Sequence, residues 1–220
     1  MAVLCLGHDN TDVGGAGPAV LSIADTKLNT WTVRQAIVND PGAADQGVIG
    51  EIWTSAQNGG ALTTGDSITV TYAGSPTQGG HCLFSIAGAG TPTYVGGGAE
   101  TAAGPTTPTI TTASIPVGDA VIGFITREGA DAPSAYNPGD SGNGTWSTAQ
   151  EAHLGSGNTG HQLHAQYKVQ TTGASTQVYD ATVQARDSCE LWVSVNDVVA
   201  ASSSLILTGK KRRWRNLIAL

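Results

Sequence analysis

Several sets of residues have side chains that carry out chemistry in other proteins, and the order His81, Asp119, Ser141 is the most specific of them. A chymotrypsin-like serine protease has its base, orienting acid and nucleophile in this order along the chain. Only 22 residues separate Asp119 from Ser141, too few for most of the second β-barrel that this class of protease places between them. Ser141 also lies in a stretch rich in Gly and Pro, which is typical of turns. The sequence therefore predicts a protein that is not an enzyme, and no residue is assigned a catalytic role.

Histidines and loop carboxylates are the candidate metal ligands. His161 and His164, with His153 nearby, could share an ion, but a spacing of three places the first two on opposite faces of a strand. Two groups of loop residues offer oxygen ligands for calcium: Asp9, Asn10 and Asp12, and Asp40 with Asp45. Neither group has the spacing and the Gly of a calcium-binding hand. We predict solvated or core histidines, solvated loop carboxylates, no metal and no cofactor.

The charges of the chain are divided between an acidic body and a basic end. All 17 acidic residues lie at or before Asp197, whereas five of the ten basic residues lie within residues 210–215. Trp214, Leu217 and Ile218 follow a helical i, i+3, i+4 spacing beside these cations. We predict that residues 201–220 form a tail that docks on acidic surface of a neighbouring subunit. The predicted anchor residues are Leu205, Leu207, Lys210, Lys211, Arg212, Arg213, Trp214, Arg215, Leu217 and Ile218.

Other binding partners of this tail, such as nucleic acid and membranes, are less favoured. An acidic body repels nucleic acid, so any contact with a polyanion falls to the tail alone, and nucleic acid is an unlikely partner. One short amphipathic turn with five cations gives only marginal adsorption to a membrane. The first residues are too short and lack the basic region for a secretory signal, and no apolar run is long enough for a membrane span. We therefore expect a soluble chain without a leader and without a membrane partner.

Tryptophans allow two interpretations, because exposed indole rings stack on sugars and buried ones dominate cores. Their positions inside predicted strands, and their recurrence along the chain, favour the core. The predicted core aromatics are Trp31, Trp53, Trp146, Tyr167 and Trp192. A glycan site, if present, would use loops at the ends of the strands, within residues 8–17 or 131–144.

The composition indicates an all-β chain. Gly accounts for 30 of 220 residues and charged residues for only 12%, which suits short strands joined by turns. Ile68, Val70 and Tyr72 alternate with hydroxyl residues, as in a half-buried antiparallel strand. The three cysteines, Cys5, Cys82 and Cys189, each lie inside an apolar run, which predicts buried thiols instead of a disulfide framework.

Landmarks in residues 2–88 return in residues 120–195, which indicates an internal pseudo-repeat. An apolar run at residues 2–6 is matched by residues 120–124, Trp31 by Trp146, Trp53 by Tyr167 and Cys82 by Cys189. The offset falls from 118 to 107 along the chain, as expected when two similar strand sets differ in loop length. We predict one antiparallel, jelly-roll-like β-sandwich domain over residues 1–200, with a low-complexity connector at 89–118. The alternative, two unrelated runs of short strands, stays open.

Four motifs carry a resemblance to a known class of domain. They are the turn from Asp25 to Trp31, the Ile52-Trp53 strand, the Gly65-Asp66-Ser67-Ile68 segment and the Ser85-Ile86-Ala87-Gly88 ending. This order resembles the β-sandwich domains of bacteriophage virion proteins, of the minor tail, tail-tip or head-decoration kind, over about residues 2–198. Leu28 stands where that pattern usually has Gly.

The resemblance implies a structural or adhesive role in the virion and no catalytic residue. It implies other virion proteins as partners and a homo-oligomer, of which a trimer is one symmetric form. The alternative function is a carbohydrate-binding adhesion module that attaches to a host-surface glycan.

Overall fold

The computed structural model describes residues 1–9, 20–42, 47–74, 76, 78–88, 91–129, 131–136, 143–155, 160–196 and 198–206, with only the backbone for Gly88 and 198–206. Fifteen strands and no helix occur in these ranges, and all strand pairs are antiparallel. The predicted all-β, antiparallel class is thus confirmed. The jelly-roll-like connectivity stays a prediction. No helix in the described part of the chain could serve as a membrane span.

Two five-stranded sheets form the centre of the molecule. The first sheet has the order β15 (Val198–Ile206), β6 (Gly79–Gly88), β1 (Ala2–Asp9), β4 (Val48–Ser55) and β3 (Thr32–Asn39). The second sheet has the order β11 (Gln150–Leu154), β12 (His161–Val169), β9 (Ala120–Glu128), β14 (Ser188–Val195) and β7 (Tyr94–Ala102).

Two smaller sheets cover the outer faces of this pair. β2 (Val20–Asp25) and β5 (Ile68–Tyr72) pack on the first sheet. β8 (Thr109–Thr111), β13 (Val178–Thr182) and β10 (Ala135–Tyr136) pack on the second. The central strands are therefore buried on both sides, which is why β1 and β9 are apolar runs without alternation.

The main core lies between the two large sheets. Val3 and Cys5 of β1 meet Ile122 and Phe124 of β9 there. The intervening residues of β1, such as Leu4, turn to the outer cluster with β2 and β5. All three cysteines are buried free thiols, in agreement with the prediction.

The strand order of the two sheets is the same when they are read in the predicted repeat alignment. β6, β1, β4 and β3 correspond to β14, β9, β12 and β11. Two of the residue pairings behind the prediction are nevertheless wrong. Val3 faces the main core, but its assigned equivalent Val121 lies in the outer cluster of the second sheet. In the second pair, Trp53 packs on the outer face of the first sheet, whereas Tyr167 packs against the main core. An odd slip along a strand moves every side chain to the other face, so these residue pairings are out of register, and the internal pseudo-repeat stays a prediction.

Residues 89–118 are more than the predicted connector, because they contain β7 and β8. β7 was missed since its central residues are glycines, which predict a loop. A side chain at Gly98 would lie 2.6 Å from the indole nitrogen of Trp192, so glycine is needed for this ring to lie against the strand. The boundary at residue 200 also needs correction, because β15 continues to Ile206.

Two of the four motifs behind the resemblance are hydrogen-bonded turns. Asp25 Oδ1 accepts the N–H groups of Lys27 (2.9 Å) and Asn29 (3.1 Å), and its Oδ2 accepts the indole N–H of Trp31 (2.8 Å). Asp66 Oδ2 accepts the N–H of Thr63 (2.7 Å).

Asp66 also joins the two turns, because its Oδ1 accepts the hydroxyl of Thr26 at 2.8 Å. Hydrogen bonds from the Thr63 backbone and from the Thr26 hydroxyl lower the pKa of Asp66 to about 2. The Asp, Asn and Trp of the pattern are thus explained by turn geometry.

Leu28 has a strained backbone conformation at an exposed position. It is 84% exposed and has a φ of 58°, a left-handed conformation that costs a residue with a Cβ about 1 to 2 kcal/mol. Leu28→Gly should raise the free energy of unfolding by about 1 kcal/mol, because the strain relieved exceeds the added chain entropy of glycine. Urea unfolding measures this change. Thr30→Gly, at an exposed position without this strain, should lower the stability, and a loss in both variants would contradict the assignment of strain to Leu28.

Candidate functional site

One end of the sandwich collects carboxylates, which we call the acidic end. The register of the strands places there the last residues of β1, β3 and β9 and the first residues of β4, β6, β12 and β14. Among the described residues, the carboxylates on these strand ends and the adjoining loops are Asp9, Asp40, Glu128, Asp131 and Asp187. All five are half-buried.

Glu128 shows the electrostatic character of the acidic end. Its carboxylate accepts the N–H of Gly47, which ties the two large sheets together. Burial raises the pKa of Glu128, and the nearby carboxylate of Asp187 raises it further. The N–H of Gly47 and the guanidinium of Arg186 act in the opposite direction on this pKa. Carboxylates nevertheless outnumber cations at this end among the described residues, which would attract a cationic peptide.

The packing of the body removes cations from the surface. Arg127 and Lys168 are fully buried, which leaves three of the five basic residues of the body accessible to solvent. The Arg127 guanidinium donates to Gln162 Oε1 at 2.9 Å and to backbone carbonyl oxygens of Glu128 and Asp131. Carboxylates such as Asp25, Glu51 and Glu190 are buried as well, so the surface of the body keeps the excess of acidic residues that its composition indicates.

The strand that precedes the tail ends at the acidic end. Ile206, the last residue of β15, lies opposite His81, two residues from the start of β6. Leu205 lies opposite Cys82 and so belongs to the first sheet, not to a free tail. The other predicted anchor residues fall outside the described part of the chain: Leu207, Lys210, Lys211, Arg212, Arg213, Trp214, Arg215, Leu217 and Ile218.

The predicted core aromatics all contact a core cluster, to different degrees. Trp31, Trp146 and Trp192 are buried, whereas Trp53 and Tyr167 are half-buried. Trp53 donates its indole N–H to Glu51 at 2.6 Å, beneath β2. None of the three buried rings offers an open face for stacking on a sugar.

Trp146 packs in the outer cluster of the second sheet. Its ring lies 4.9 Å from that of Tyr179, and the ammonium of Lys168 lies 5.7 Å from it. A side chain at Gly123 would lie 2.2 Å from the Tyr179 ring. The glycine in the middle of the apolar run of β9 is therefore required by this aromatic group.

Four of the five histidines are buried: His8, His81, His161 and His164. His161 faces the main core and its Nε2 lies 2.9 Å from the hydroxyl of Thr126. His164 points to the other face, between the rings of Tyr136 (5.2 Å) and Tyr179 (5.8 Å). The prediction that His161 and His164 lie on opposite faces as core residues is confirmed, and no group of three or more potential ligands in the described residues is arranged to hold a metal ion.

The remaining candidates are not brought together. His81 lies at the acidic end, whereas Asp119 precedes β9 at the opposite end, about 30 Å away along a nine-residue strand. Asp40 accepts the N–H of Gly42 (2.8 Å) in a local turn, whereas Asp9 accepts the N–H of Gln78 (2.8 Å) and so extends the pairing of β1 with β6. The partners that the sequence suggested for them lie outside the described residues: Asn10, Asp12, Asp45 and Ser141.

Comparisons with known proteins add no assignment. No family model matches the chain, and searches of curated proteins and of solved structures gave no match.

The buried imidazoles predict a loss of stability in mild acid. Burial lowers the pKa of His81 to about 4 and those of His161 and His164 to about 3, from an ordinary value of 6.5. The unfolded chain therefore takes up more protons below pH 6.5, so each histidine weakens folding by about 1.4 kcal/mol per pH unit as the pH falls. Burial raises the pKa of Glu190 to about 7, from an ordinary value of 4.5. Glu190 therefore stabilises the folded state as the pH falls from 7 to 4.5 and opposes the effect of the histidines.

The combined effect of the three histidines on the free energy of unfolding is larger than the opposing effect of Glu190. We expect the free energy of unfolding to fall by about 2 kcal/mol per pH unit between pH 6 and 4.5, as measured by urea unfolding in a pH series. His164→Gln should reduce the slope by about 1.4 kcal/mol per pH unit, whereas Gln166→Asn, at a buried neutral position of the same strand, should leave it unchanged. A flat profile from pH 6.5 to 4.5 would show that protons reach these imidazoles in the folded state.

Trp31 and Trp146 should behave differently when only their N–H group is removed. Replacement of either by Ala should cost roughly 3 to 5 kcal/mol, as for large aromatic truncations in cores. Trp31→Phe should cost about 1 to 3 kcal/mol more than Trp146→Phe, because it leaves Oδ2 of the buried Asp25 carboxylate without its donor. Among the described residues, the indole N–H of Trp146 has no hydrogen-bond partner. Unchanged stability of Trp31→Ala together with lost glycan binding would instead support the carbohydrate-binding interpretation.

Proposed function

We propose that this protein is a non-enzymatic structural component of a phage virion, of the minor tail, tail-tip or capsid-decoration kind. Its C-terminal tail anchors it to neighbouring subunits. The observation that carries the proposal is that β15 ends at Ile206 on the acidic end of the sandwich, and that five cations follow in the sequence within residues 210–215. Each copy therefore carries both a cationic segment and an anionic surface.

Two forces with different ranges would act in such a contact. Attraction between the cations and the carboxylates draws the partners together and fades when salt shortens the screening length to about 10 Å at 0.1 M. Burial of Trp214, Leu217 and Ile218 would then hold the contact, since each large apolar side chain contributes about 1.5 to 3 kcal/mol regardless of salt.

The tail and the acidic end that would bind it belong to the same chain, which favours assembly from identical copies. When the tail of one copy binds the acidic end of the next, the contact is head-to-tail, and a rotation that closes gives a ring such as a trimer. Other virion proteins with acidic surface are further partners. The resemblance of the turn motifs to virion β-sandwich domains supports the same conclusion.

The second candidate function is a carbohydrate-binding adhesion module. It is favoured by the position of the two loops that were expected to contact a glycan. One follows Asp9 and the other begins near Asp131, so both start at the same end of the sandwich, where adhesive sandwiches present their loops. Binding of the purified chain to host-surface glycans, lost on shortening these loops and kept on removal of the tail, would favour this function.

The test of the proposal is incorporation into particles at different salt concentrations. Neutralising all five tail cations should slow incorporation mainly at low salt, whereas Trp214→Ala with Leu217→Ala should prevent it at any salt. Asp40→Asn with Asp187→Asn should resemble the neutralised tail, because it weakens the receiving surface. Ala56→Lys with Thr30→Lys changes the net charge by the same amount at the far end of the sheet and should have no effect. Equal incorporation of all variants would exclude the tail as the anchor.

A further inference from the structure

The two large sheets exchange their fifth strands within one chain. β7 follows β6 of the first sheet in sequence but pairs with β14 of the second sheet. β15 follows β14 of the second sheet but pairs with β6 of the first. Neither sheet is complete without a strand that arrives from the other.

The two crossing links meet and hold each other. Asn196 Oδ1 accepts the N–H of Thr93 (2.9 Å) and its hydroxyl (2.7 Å), and the N–H of Asn196 donates to the carbonyl oxygen of Thr93 (3.0 Å). Thr93 precedes β7 and Asn196 precedes β15. We call this group of hydrogen bonds the Thr93–Asn196 clasp.

The link to β15 is short for the distance it must cover. Only Asn196 and Asp197 lie between β14 and β15. Three Cα steps reach at most about 11 Å, and packed sheets lie about 10 Å apart. The link from β6 to β7 has five residues, 89–93, so the closed arrangement constrains β15 more than β7.

β7 is also held by the first half of the chain, through contacts with β3. Asn39 Nδ2 donates to the carbonyl oxygen of Ala102 at 2.9 Å, and the Arg34 guanidinium lies 4.6 Å from the Tyr94 ring. β15 lies at the edge of its sheet, where it pairs with β6 and also lies near β11 of the second sheet. A short hinge that leads into an edge strand favours exchange of that strand between copies of a chain. The same strand pairing forms in the closed chain and in the exchanged dimer, and only the conformation of the hinge differs.

We propose that β15 is exchanged between copies of this chain, so that β15 of one subunit completes the first sheet of another by pairing with its β6. The partner is a second copy, and the surface it uses is the β6 edge that β15 covers in the closed chain. This inference rests on the proposed function in taking the chain to be an assembling subunit. It explains how the tail, which follows β15, reaches the acidic end of a neighbour.

Cysteine pairs across the β6–β15 seam distinguish the two states. Ser202 lies opposite Ser85, a separation that suits a disulfide between directly paired residues. Full-length Ser85→Cys and Ser202→Cys chains, one of them isotope-labelled, are refolded together and oxidised. Exchange should give a disulfide-linked dimer with one chain of each kind, and the chain with both substitutions should also give the intrachain bond of the closed state.

A matched control uses the same seam out of register. Ser204 lies opposite Leu83, about 7 Å along the strand from the partner of Ser85, which is too far for a disulfide. The Ser85→Cys and Ser204→Cys mixture should give at least about tenfold less mixed dimer. Similar yields from both mixtures would mean non-specific oxidation and would overturn the proposal.

Hinge variants change the balance between the two states without touching the seam. Asn196→Ala removes the two side-chain hydrogen bonds of the Thr93–Asn196 clasp, which belongs to the closed chain, and should raise the mixed-dimer fraction about fivefold. Insertion of Gly-Ser-Gly after Asn196 relaxes the short link and should lower the fraction. Absence of mixed dimer in every variant, with the intrachain disulfide formed, would overturn the exchange.

Cross-linking inside particles separates this inference from the proposed function. A chain that enters particles but forms only the intrachain disulfide there would overturn the exchange and leave the structural role. A chain that forms the mixed dimer in solution but never enters particles would support the exchange and overturn the virion role.

Discussion

Burial of both faces of two central strands is the constraint on which this architecture depends. β1 and β9 carry apolar side chains on each side, and alternation sends neighbouring residues in opposite directions. Each strand therefore needs a cover on two sides. The main core between the sheets provides one cover, and the β2–β5 and β8–β13–β10 layers provide the others. Four layers follow from the hydrophobic requirement of two strands.

Covering both faces also encloses polar residues near the strand ends. Arg127 is satisfied by Gln162 and backbone carbonyl groups, and His161 by Thr126. A buried charged or polar group persists only with such partners. The same packing withdraws Arg127 from the surface at the acidic end, where the carboxylates stay half-buried, so the charge of this end depends on the fold as well as on composition.

The crossing of β7 and β15 makes the two halves interdependent. Each half contributes four strands to its own sheet and one to the other, so the backbone hydrogen bonds of each sheet edge are completed by the opposite half. A molecule built this way already uses strand sharing inside one chain. Sharing between chains would require a change only at the link between β14 and β15.

The local patterns of the sequence determined the all-β class, the apolar central strands, the buried thiols and the opposite orientation of His161 and His164, because side-chain alternation and turn chemistry act over a few residues. The matched landmarks lie on or beside strands at corresponding places in the order of the two sheets, although the internal pseudo-repeat itself stays a prediction. Tertiary structure decided the rest. The glycine-rich β7 has no pattern of its own and becomes a strand through backbone pairing with β14. Side-chain faces in β1 and β4 depend on pairing register, and the burial of Arg127 and Lys168 depends on layers that arrive from distant parts of the chain. The acidic end exists because strand register brings together carboxylates that are far apart in sequence, a relation that no local pattern encodes.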